Sequence, residues 1–401
     1  QRQMCIRDRY AASAMFALTA CNALDIIPSD SYSDPVVWQD QNLIKMYVND
    51  QYNALVGQDN FYRYSFFSDE VYQKYNDEGC NYIRENILTS DNVGSVSDVL
   101  NYWNTGYGYL HKVNMFFENI ESSRVDEEFK NTMINEMKFI RAFIYFRLIR
   151  SYGGVPIIKE VYDINSDWSN VKRNTYNECV EYIISDLDDV IANLPDRPSE
   201  RNRVGANAAR ALKSRVLLYN ASALNNPDND KERWQKASDA AKELLDKGYS
   251  LCDNYREMFF DVTNNEYIFA KEFSETYSHM LGFNLACTGD GGRGWATPSQ
   301  NLVDAYETLD GEIPVLNSES GDINPKSIYN PEKPYENRDP RFYDCIYYNG
   351  STSLNGRIVE TFKDGADMIQ QDMTMTGYYC RKFVNENEPV SQLSLIHISE
   401  P

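Results

Sequence analysis

The residues whose types are best suited to binding a ligand are aromatic side chains with polar side chains near them in the sequence. Five of them share one loop-rich stretch and two tryptophans stand apart: Asp69, Tyr72, Tyr75, Asn76 and Arg84, then Trp103 and Trp295. A sugar presents apolar C–H faces and a rim of hydroxyl groups, so a ring can cover the face while polar side chains bond the rim. We expect these seven residues to form a ligand site. Packing against the scaffold is the alternative for each ring, and it is weakest for Trp295, which follows a glycine-rich loop.

Other reaction chemistries find little support in the residues. Gly289, Gly291 and Gly294 match G-x-G-x-x-G, but the Trp-Ala-Thr-Pro that follows does not start the helix of a dinucleotide site. The glycine content predicts a mobile loop instead. Three histidines are too few for a His-rich metal site and a thin basis for a Ser-His triad. Carboxylates are plentiful, so a glycosidase pair remains open.

Metal motifs are also lacking in the sequence. Six cysteines are scattered without a C-x-x-C pair, so a zinc site is not expected: Cys80, Cys179, Cys252, Cys287, Cys345 and Cys380. An exported location would permit disulfides, but their pairing cannot be read from spacing. The loop at Asp228, Asn229 and Asp230 lacks the Gly and the terminal Glu of an EF-hand, so we interpret it as a polar interhelical loop. We predict no cofactor.

The composition narrows the class of partner. The formal charge is −21, from 39 Lys and Arg against 60 Asp and Glu. Nucleic acid requires a basic face for its phosphates, so we expect no nucleic-acid partner. Tyrosine is abundant, with 30 residues against 18 Phe and 5 Trp. Such an excess fits surfaces that are half apolar and half wet, although packing at helix edges explains most of these rings.

The element that must position the rest is the segment Phe139–Ile158. Its apolar residues cover nearly all faces of a helix, which predicts neighbours on most sides. Gly153 supplies a positive-φ C-cap and Pro156 prevents continuation. Arg141 and Arg147 are charged members of this helix, so each needs a carboxylate or carbonyl partner.

Helical periodicity extends over the first two thirds of the chain. It predicts these helices: Val36–Val56, Val99–Ile120, one from near Phe129 through the central segment, Tyr176–Leu194, Gly205–Ser222 and Arg233–Gly248. In two pairs the partner helix starts about 30 residues after the first, close to the tetratricopeptide period. In the last helix, five residues should face inward: Trp234, Ala237, Ala241, Leu244 and Leu245. Beyond residue 253, a strand at Glu266–Phe273 and then turns are expected.

Both ends of the chain differ in character from the rest. The apolar run Ala11–Ala20 leads into Cys21, and Leu-Thr-Ala-Cys is typical of a lipobox, whose cysteine is diacylated. A structural cysteine after a chance apolar run is the alternative. Residues 22–35 suit a polar tether. Residues 1–9 and 393–401 resemble translated sequencing adapters, so we expect a signal-peptide remnant in residues 1–21 and a foreign tail in 393–401.

The central segment resembles the signature of the SusD/RagB family. That signature is a Glu, here Glu136, then Phe-Leu-Arg-Ala with Ile140 in place of Leu, aromatic residues and Tyr-Gly-Gly-Val-Pro. Further stretches resemble family landmarks in the same order: Leu24–Pro28, Ser68–Glu70, Ser185–Leu187, Gly205–Ala209, Trp234–Ala237, Gly248–Leu251, Thr297–Tyr306, Asn337–Phe342 and Thr376–Tyr379. The resemblance implies a mainly α fold, with a tetratricopeptide-like scaffold over residues 36–252 and a loop-rich, ligand-facing lobe over 253–392. The final helical segment of the family has no counterpart here.

The resemblance also implies a function. Members are outer-membrane lipoproteins that capture nutrients, mostly glycans, for a TonB-dependent, SusC-like transporter. We therefore expect a non-catalytic protein that faces the outside, is anchored through Cys21 and binds oligo- or polysaccharide, with peptide cargo still open. Two alternatives remain from the residues alone: an all-α glycoside hydrolase and a helical-repeat adaptor for protein partners.

Overall fold

The computed structural model describes residues 34–55, 64–73, 79–96, 101–163, 165–261, 263–273, 280–368, 373–387 and 390. Its α-helices are α1 Asp34–Val37, α2 Gln41–Gln51, α3 Cys80–Arg84, α4 Trp103–Ile120, α5 Glu127–Tyr152, α6 Tyr176–Asn193, α7 Ala206–Ala221, α8 Lys231–Lys242, α9 Leu281–Leu285, α10 Gln300–Ala305 and α11 Pro340–Cys345. Its strands are β1 Val71–Gln73, β2 Ala296–Pro298, β3 Val315–Asn317, β4 Asp322–Ile323, β5 Ile346–Tyr347 and β6 Tyr379–Cys380. The fold is mainly helical, as predicted.

Helix α5 is the centre of the scaffold. Asp126 caps its first turn, because its carboxylate accepts a hydrogen bond from the Phe129 amide at 2.9 Å. The helix ends where Gly153 adopts a φ of 69°. Buried residues lie on every face, and helices α2, α4 and α6 pack around it. The sequence-based prediction of a helix surrounded by neighbours is confirmed.

Arg141 and Arg147 of α5 have different kinds of partner. The Arg141 guanidinium donates to both carboxylate oxygens of Asp186 on α6, each at 2.8 Å. Arg147 instead lies over the Tyr102 ring, 3.7 Å from its centroid. The predicted carboxylate partner is therefore confirmed for Arg141, while for Arg147 the described contact is an aromatic face.

The helices beyond α5 continue the array in chain order. Helix α6 packs on α5, α7 on α6 and α8 on α7. A capping box starts α6, in which Thr175 accepts from the Glu178 amide and Glu178 accepts from the Thr175 amide. One apolar core runs through the array, from Trp38 near α2 to Val216 on α7. These stacked pairs confirm the tetratricopeptide-like scaffold.

Several predicted boundaries and faces were wrong. The first predicted helix is divided, because the Asp40 carboxylate caps a new helix by accepting from the Asn42 and Leu43 amides. The last scaffold helix stops at Lys242 rather than Gly248. Trp234 is 40% and Leu245 75% exposed, and Ala241 is exposed too, so these three do not face inward.

The second lobe has small cores and short strands. Among the residues that the structure describes, three two-stranded sheets pair β3 with β4, β5 with β6 and, across to the N-terminal part of the chain, β1 with β2. One apolar cluster surrounds Tyr347 and Tyr379, and another surrounds Phe342. Within Glu266–Phe273 the described backbone contains no regular strand, contrary to the prediction, since Asn264 and Glu266 lie in polar turns. The Phe269 ring instead packs edge-on against Phe139 of α5, with centroids 5.9 Å apart.

Two further features bear on the sequence analysis. All six cysteines that the structure describes are free thiols. None of the helices between residues 34 and 390 that the structure describes combines the length and apolarity required to span a bilayer.

Candidate functional site

The β1–β2 ladder brings two distant parts of the chain together. Strand β1 pairs antiparallel with β2, and Tyr72 lies opposite Thr297. The Thr297 hydroxyl donates to the Tyr72 carbonyl at 3.0 Å, and the Ser299 amide donates to the Glu70 carbonyl at 2.8 Å. The residues that precede β1 are therefore held against the start of α10. This pairing places the aromatic-rich stretch of the N-terminal third on the second lobe.

Three of the seven predicted ligand residues gather along this ladder. The Tyr72 side chain is 39% exposed, and the Arg84 guanidinium lies over its ring, 5.0 Å from the centroid. Asp69 is exposed, and its carboxylate accepts a hydrogen bond from the Asn301 amide group at 3.4 Å. An exposed ring with a cation over it is thus found on the strand that follows an exposed carboxylate. We call Asp69, Tyr72 and Arg84 the ladder site.

Trp295 adjoins the ladder site but is not a freely exposed ring. It directly precedes β2 and is half-buried. Its indole nitrogen is inaccessible to solvent and has no hydrogen-bond partner among the described residues. The Arg293 guanidinium lies 5.8 Å from its ring centroid. The Trp295 amide donates to the Asn284 carbonyl at 2.7 Å, which fixes the ring relative to α9.

The glycine-rich loop before Trp295 is tightly held, so the expectation of a mobile loop is wrong. The amides of Gly292 and Gly294 donate to carbonyls of Cys287 and Ala286, at 3.0 and 3.1 Å. A Cβ on Gly292 would lie 2.4 Å from the Ala286 carbonyl oxygen. Glycine is required here because two backbones approach closely, not because the loop moves.

A buried charge cluster, which the sequence analysis missed, anchors the same loop. The Arg357 guanidinium donates to Asp290 at 2.6 Å and to Asp367 at 2.8 Å. Asp367 is fully buried and also accepts from the Gly289 amide at 2.9 Å. The hydrogen bond to Asp290 and, to a smaller extent, those to Asp367 raise the pKa of Arg357 further above its usual value. No local motif links these three residues, since they are 67 and 10 positions apart.

Trp103, another of the predicted residues, lies apart from the ladder. Trp103 begins α4, on a different cleft, and packs edge-on against Tyr152 with centroids 5.2 Å apart. Tyr75, Asn76 and Cys21 fall outside the described residues.

The other chemistries weighed from sequence gain no support in the described part of the chain. No group of His, Cys, Asp and Glu residues there could hold a metal ion. Asp230 caps α8, with its carboxylate accepting from the Glu232 amide at 2.9 Å, as suits an interhelical loop. The G-x-G-x-x-G match leads into β2 rather than into a helix.

Comparison with known families identifies the chain. A family model described as starch-binding and associating with the outer membrane matches residues 21–218. A second model, described as the SusD family, matches residues 265–397. The chain belongs to the SusD/RagB family. The two matches cover the helical scaffold and the second lobe, so membership does not rest on one segment.

Individual relatives agree with this assignment. SusD-like protein P2 of Formosa agariphila is 23% identical over 296 residues, which cover 68% of this chain and 56% of that protein. The structure of a SusD-like protein from Bacteroides fragilis superposes with a TM-score of 0.73 at 26% identity, covering 88% of this chain and 70% of the other. A SusD-like carbohydrate-binding protein from the same species gives 0.73 at 22% identity, covering 90% and 71%. This chain spans about half the length of the curated relatives it matches.

Proposed function

We propose that this SusD-family protein is a non-catalytic nutrient-binding protein whose ladder site binds oligo- or polysaccharide. The observation that carries this proposal is the exposed Tyr72 ring with the Arg84 guanidinium over it, on the strand that follows the exposed Asp69 carboxylate. A starch-binding family model and a structural neighbour titled as carbohydrate-binding support the class of ligand.

Each residue of the ladder site has a distinct role in this proposal. The exposed part of the Tyr72 ring covers the apolar face of a sugar. Arg84 presents a fork of N–H donors to ring or hydroxyl oxygens, and Asp69 accepts from hydroxyl groups. The β1–β2 hydrogen bonds fix Tyr72 before the ligand arrives, which lowers the entropic cost of binding. Trp295 adds a second ring next to the ladder.

A binding role suits the carboxylates better than hydrolysis does. A glycosidase needs a carboxylic acid whose pKa is raised, beside a second carboxylate across the sugar. Burial raises the pKa of Glu136, but this group lies in the scaffold core, where the Arg203 guanidinium donates to it at 3.0 Å. It does not belong to the ladder site.

The test of this proposal is a panel of purified neutral oligo- and polysaccharides. We expect saturable binding of at least one of them, with no new reducing ends after prolonged incubation. Release of reducing sugar would favour the glycoside hydrolase, and binding of a protein partner but of no saccharide would favour the helical-repeat adaptor.

The cellular part of the proposal is anchoring at the outer membrane and delivery of the glycan to a SusC-like, TonB-dependent transporter. The match to the outer-membrane family model starts at Cys21, the proposed acylation site. Firm anchoring requires more than one acyl chain, at about 0.8 kcal/mol per buried CH₂. We expect Cys21→Ala in the full-length gene to release the protein from the membrane fraction, with Cys252→Ala as the control. A Cys21→Ala protein that sediments with membranes like the wild type would exclude the anchor.

A further inference from the structure

A second aromatic cleft lies on the helical scaffold, away from the β1–β2 ladder. It has a volume of about 260 Å³ and lies between α4 and the segment that connects α5 to α6. Trp103 and Tyr107 of α4 form one wall, while Tyr162 and Trp168 form the other. Pockets for drug-sized ligands are generally larger, so this cleft suits a group of about one ring.

The outer wall is an exposed but oriented pair of rings. Trp168 is 50% exposed, and its centroid lies 4.7 Å from that of Tyr162. The Trp168 indole N–H donates to the Asp163 carbonyl at 3.2 Å, so the plane of the ring is fixed. A large ring held at the surface without covering a core offers a face to a ligand.

The opposite wall is anchored to the scaffold. The Trp103 amide donates to the Tyr152 hydroxyl at 3.1 Å, and the Tyr107 hydroxyl donates to the Pro156 carbonyl at 2.8 Å. Burial raises the pKa of Tyr107, so this hydroxyl stays a neutral donor. Both walls are therefore in place before any ligand enters.

Polar side chains also line the cleft, one of them buried and two of them exposed at the rim. Asn114 is 3% exposed, and its amide nitrogen donates to the carbonyls of Ile158 and Glu160 at 3.1 and 3.0 Å. Its Oδ1 is buried with no partner among the residues that the structure describes. A buried acceptor without a partner is unfavourable, so a hydrogen-bond donor in the cleft would relieve it. The exposed side chains of Glu160 and His111 complete the rim.

We propose that this cleft is a second saccharide-binding site, which takes one neutral sugar ring between the Trp168 and Trp103 walls with a hydroxyl donating to Asn114. The combination of two aromatic walls with acceptors favours a polyhydroxylated ring over a purely apolar group. Glu160 at the rim and the Arg173 guanidinium, 5.8 Å from the Trp103 ring centroid, carry opposite charges, so the cleft selects neither an anionic nor a cationic sugar. The ladder site and this cleft share none of their residues, so either can fail without the other.

The five tryptophans provide a direct test by fluorine NMR of the full chain labelled with 5-fluorotryptophan. Trp103 and Trp168 report on the cleft, Trp295 on the ladder site, and Trp38 and Trp234 on neither. We expect glucose, galactose, mannose or xylose, or their short oligomers, to shift the cleft resonances in a saturable way while Trp38 and Trp234 stay fixed.

A matched pair of variants sharpens the result. Trp234 is 40% exposed and, like Trp168, its indole N–H donates at 3.2 Å to an acceptor five residues earlier. Trp168→Ala should weaken the sugar response of Trp103 by about five-fold or more, on the scale of one lost stacking contact. Trp234→Ala should leave it unchanged. Glu160→Gln, at the exposed rim, is the second variant should Trp168→Ala misfold.

Two outcomes would overturn the proposal. In the first, no sugar of the panel shifts Trp168, whether or not Trp295 responds; a response of Trp295 alone leaves the proposed function intact. In the second, N-acetylleucine amide shifts the cleft resonances and the sugars do not, which would assign the cleft to a protein side chain. Shifts at Trp168 without any at Trp295 would support the cleft and contradict the ladder site.

Discussion

The helical scaffold and the second lobe are held together in different ways. The scaffold shares one apolar core across α2 and α4 to α7, and its charged residues pair between neighbouring helices, as Arg141 does with Asp186. The lobe has two small apolar clusters, and much of its backbone is fixed by polar groups such as Arg357 and Asp367. A continuous core tolerates variation in its loops, whereas a lobe of turns depends on a few long-range contacts. The proposed ligand surface belongs to the second kind.

The largest expected effect lies in the scaffold. Phe146 is 2% exposed and packs edge-on against Tyr219 of α7 with centroids 5.2 Å apart. Phe146→Ala should lower the free energy of unfolding by about 3–5 kcal/mol, measured by urea denaturation. Phe143, on the same helix, is only half-buried, so Phe143→Ala is the control and should cost clearly less. A loss for Phe146→Ala no larger than that of an exposed residue would show that α5 is not the centre of the core.

The next effect separates the lobe from the scaffold. Arg357→Met would leave the buried carboxylates of Asp290 and Asp367 without their cation, and hydrogen bonds to charged groups are worth about 1.5–3 kcal/mol each. We expect faster hydrogen exchange in residues 286–294, while the amides of α5 keep their protection. If the Arg357→Met substitution accelerates hydrogen exchange less in residues 286–294 than in α5, the division between the two regions would be contradicted. Arg341→Met is a control, since Arg341 pairs with Asp339 at the surface.

The smallest expected effect is a dependence of the stability of the scaffold on pH. Hydrogen bonds from Lys247 and then Arg210 lower the pKa of Asp196 below its usual 3.8. A lowered pKa means that this stabilisation is present above pH 3.8 and is lost as the pH falls through the pKa of the folded state. Asp196→Asn should therefore cost about 0.2–1 kcal/mol at neutral pH and nothing in strong acid. A loss that persists in strong acid would assign Asp196 a role other than its charge.

The scaffold was largely predictable because its signals are local. Apolar periodicity and, for α5, the Gly153 C-cap locate α4 to α7 to within a few residues. The errors concern helix boundaries. The Asp40 cap divides the first predicted helix, and the last scaffold helix ends early, at Lys242.

The ladder site was only partly predictable, because a pairing between residues 72 and 297 leaves no periodic trace. Residue chemistry grouped Asp69, Tyr72 and Arg84 with Trp103, whereas the structure places Trp103 in a separate cleft. Composition misread the Gly289–Gly294 loop, since close approach of two backbones and buried pairing to Asp367 are properties of the folded chain. Arg357 carried no local signal at all.

Tyr72 is the best probe of the ladder site. Its ring is 39% exposed, whereas Trp295 is half-buried with a sealed indole nitrogen, so Trp295→Ala would lower stability as well as affinity. Tyr219, at 37% exposure on α7, is the matched control for loss of a surface tyrosine ring.

The measurement that tests the central claim most directly is calorimetry of a bound oligosaccharide with wild type, Tyr72→Ala, Tyr72→Phe and Tyr219→Ala. Loss of one stacking ring should weaken binding by roughly 1–3 kcal/mol, or about five- to 150-fold, with base–aromatic stacking as the scale. We predict this loss for Tyr72→Ala, a small change for Tyr72→Phe and none for Tyr219→Ala, with the thermal midpoint of Tyr72→Ala close to wild type. Unaltered affinity of Tyr72→Ala, at unaltered stability, would contradict the assignment of the ladder site.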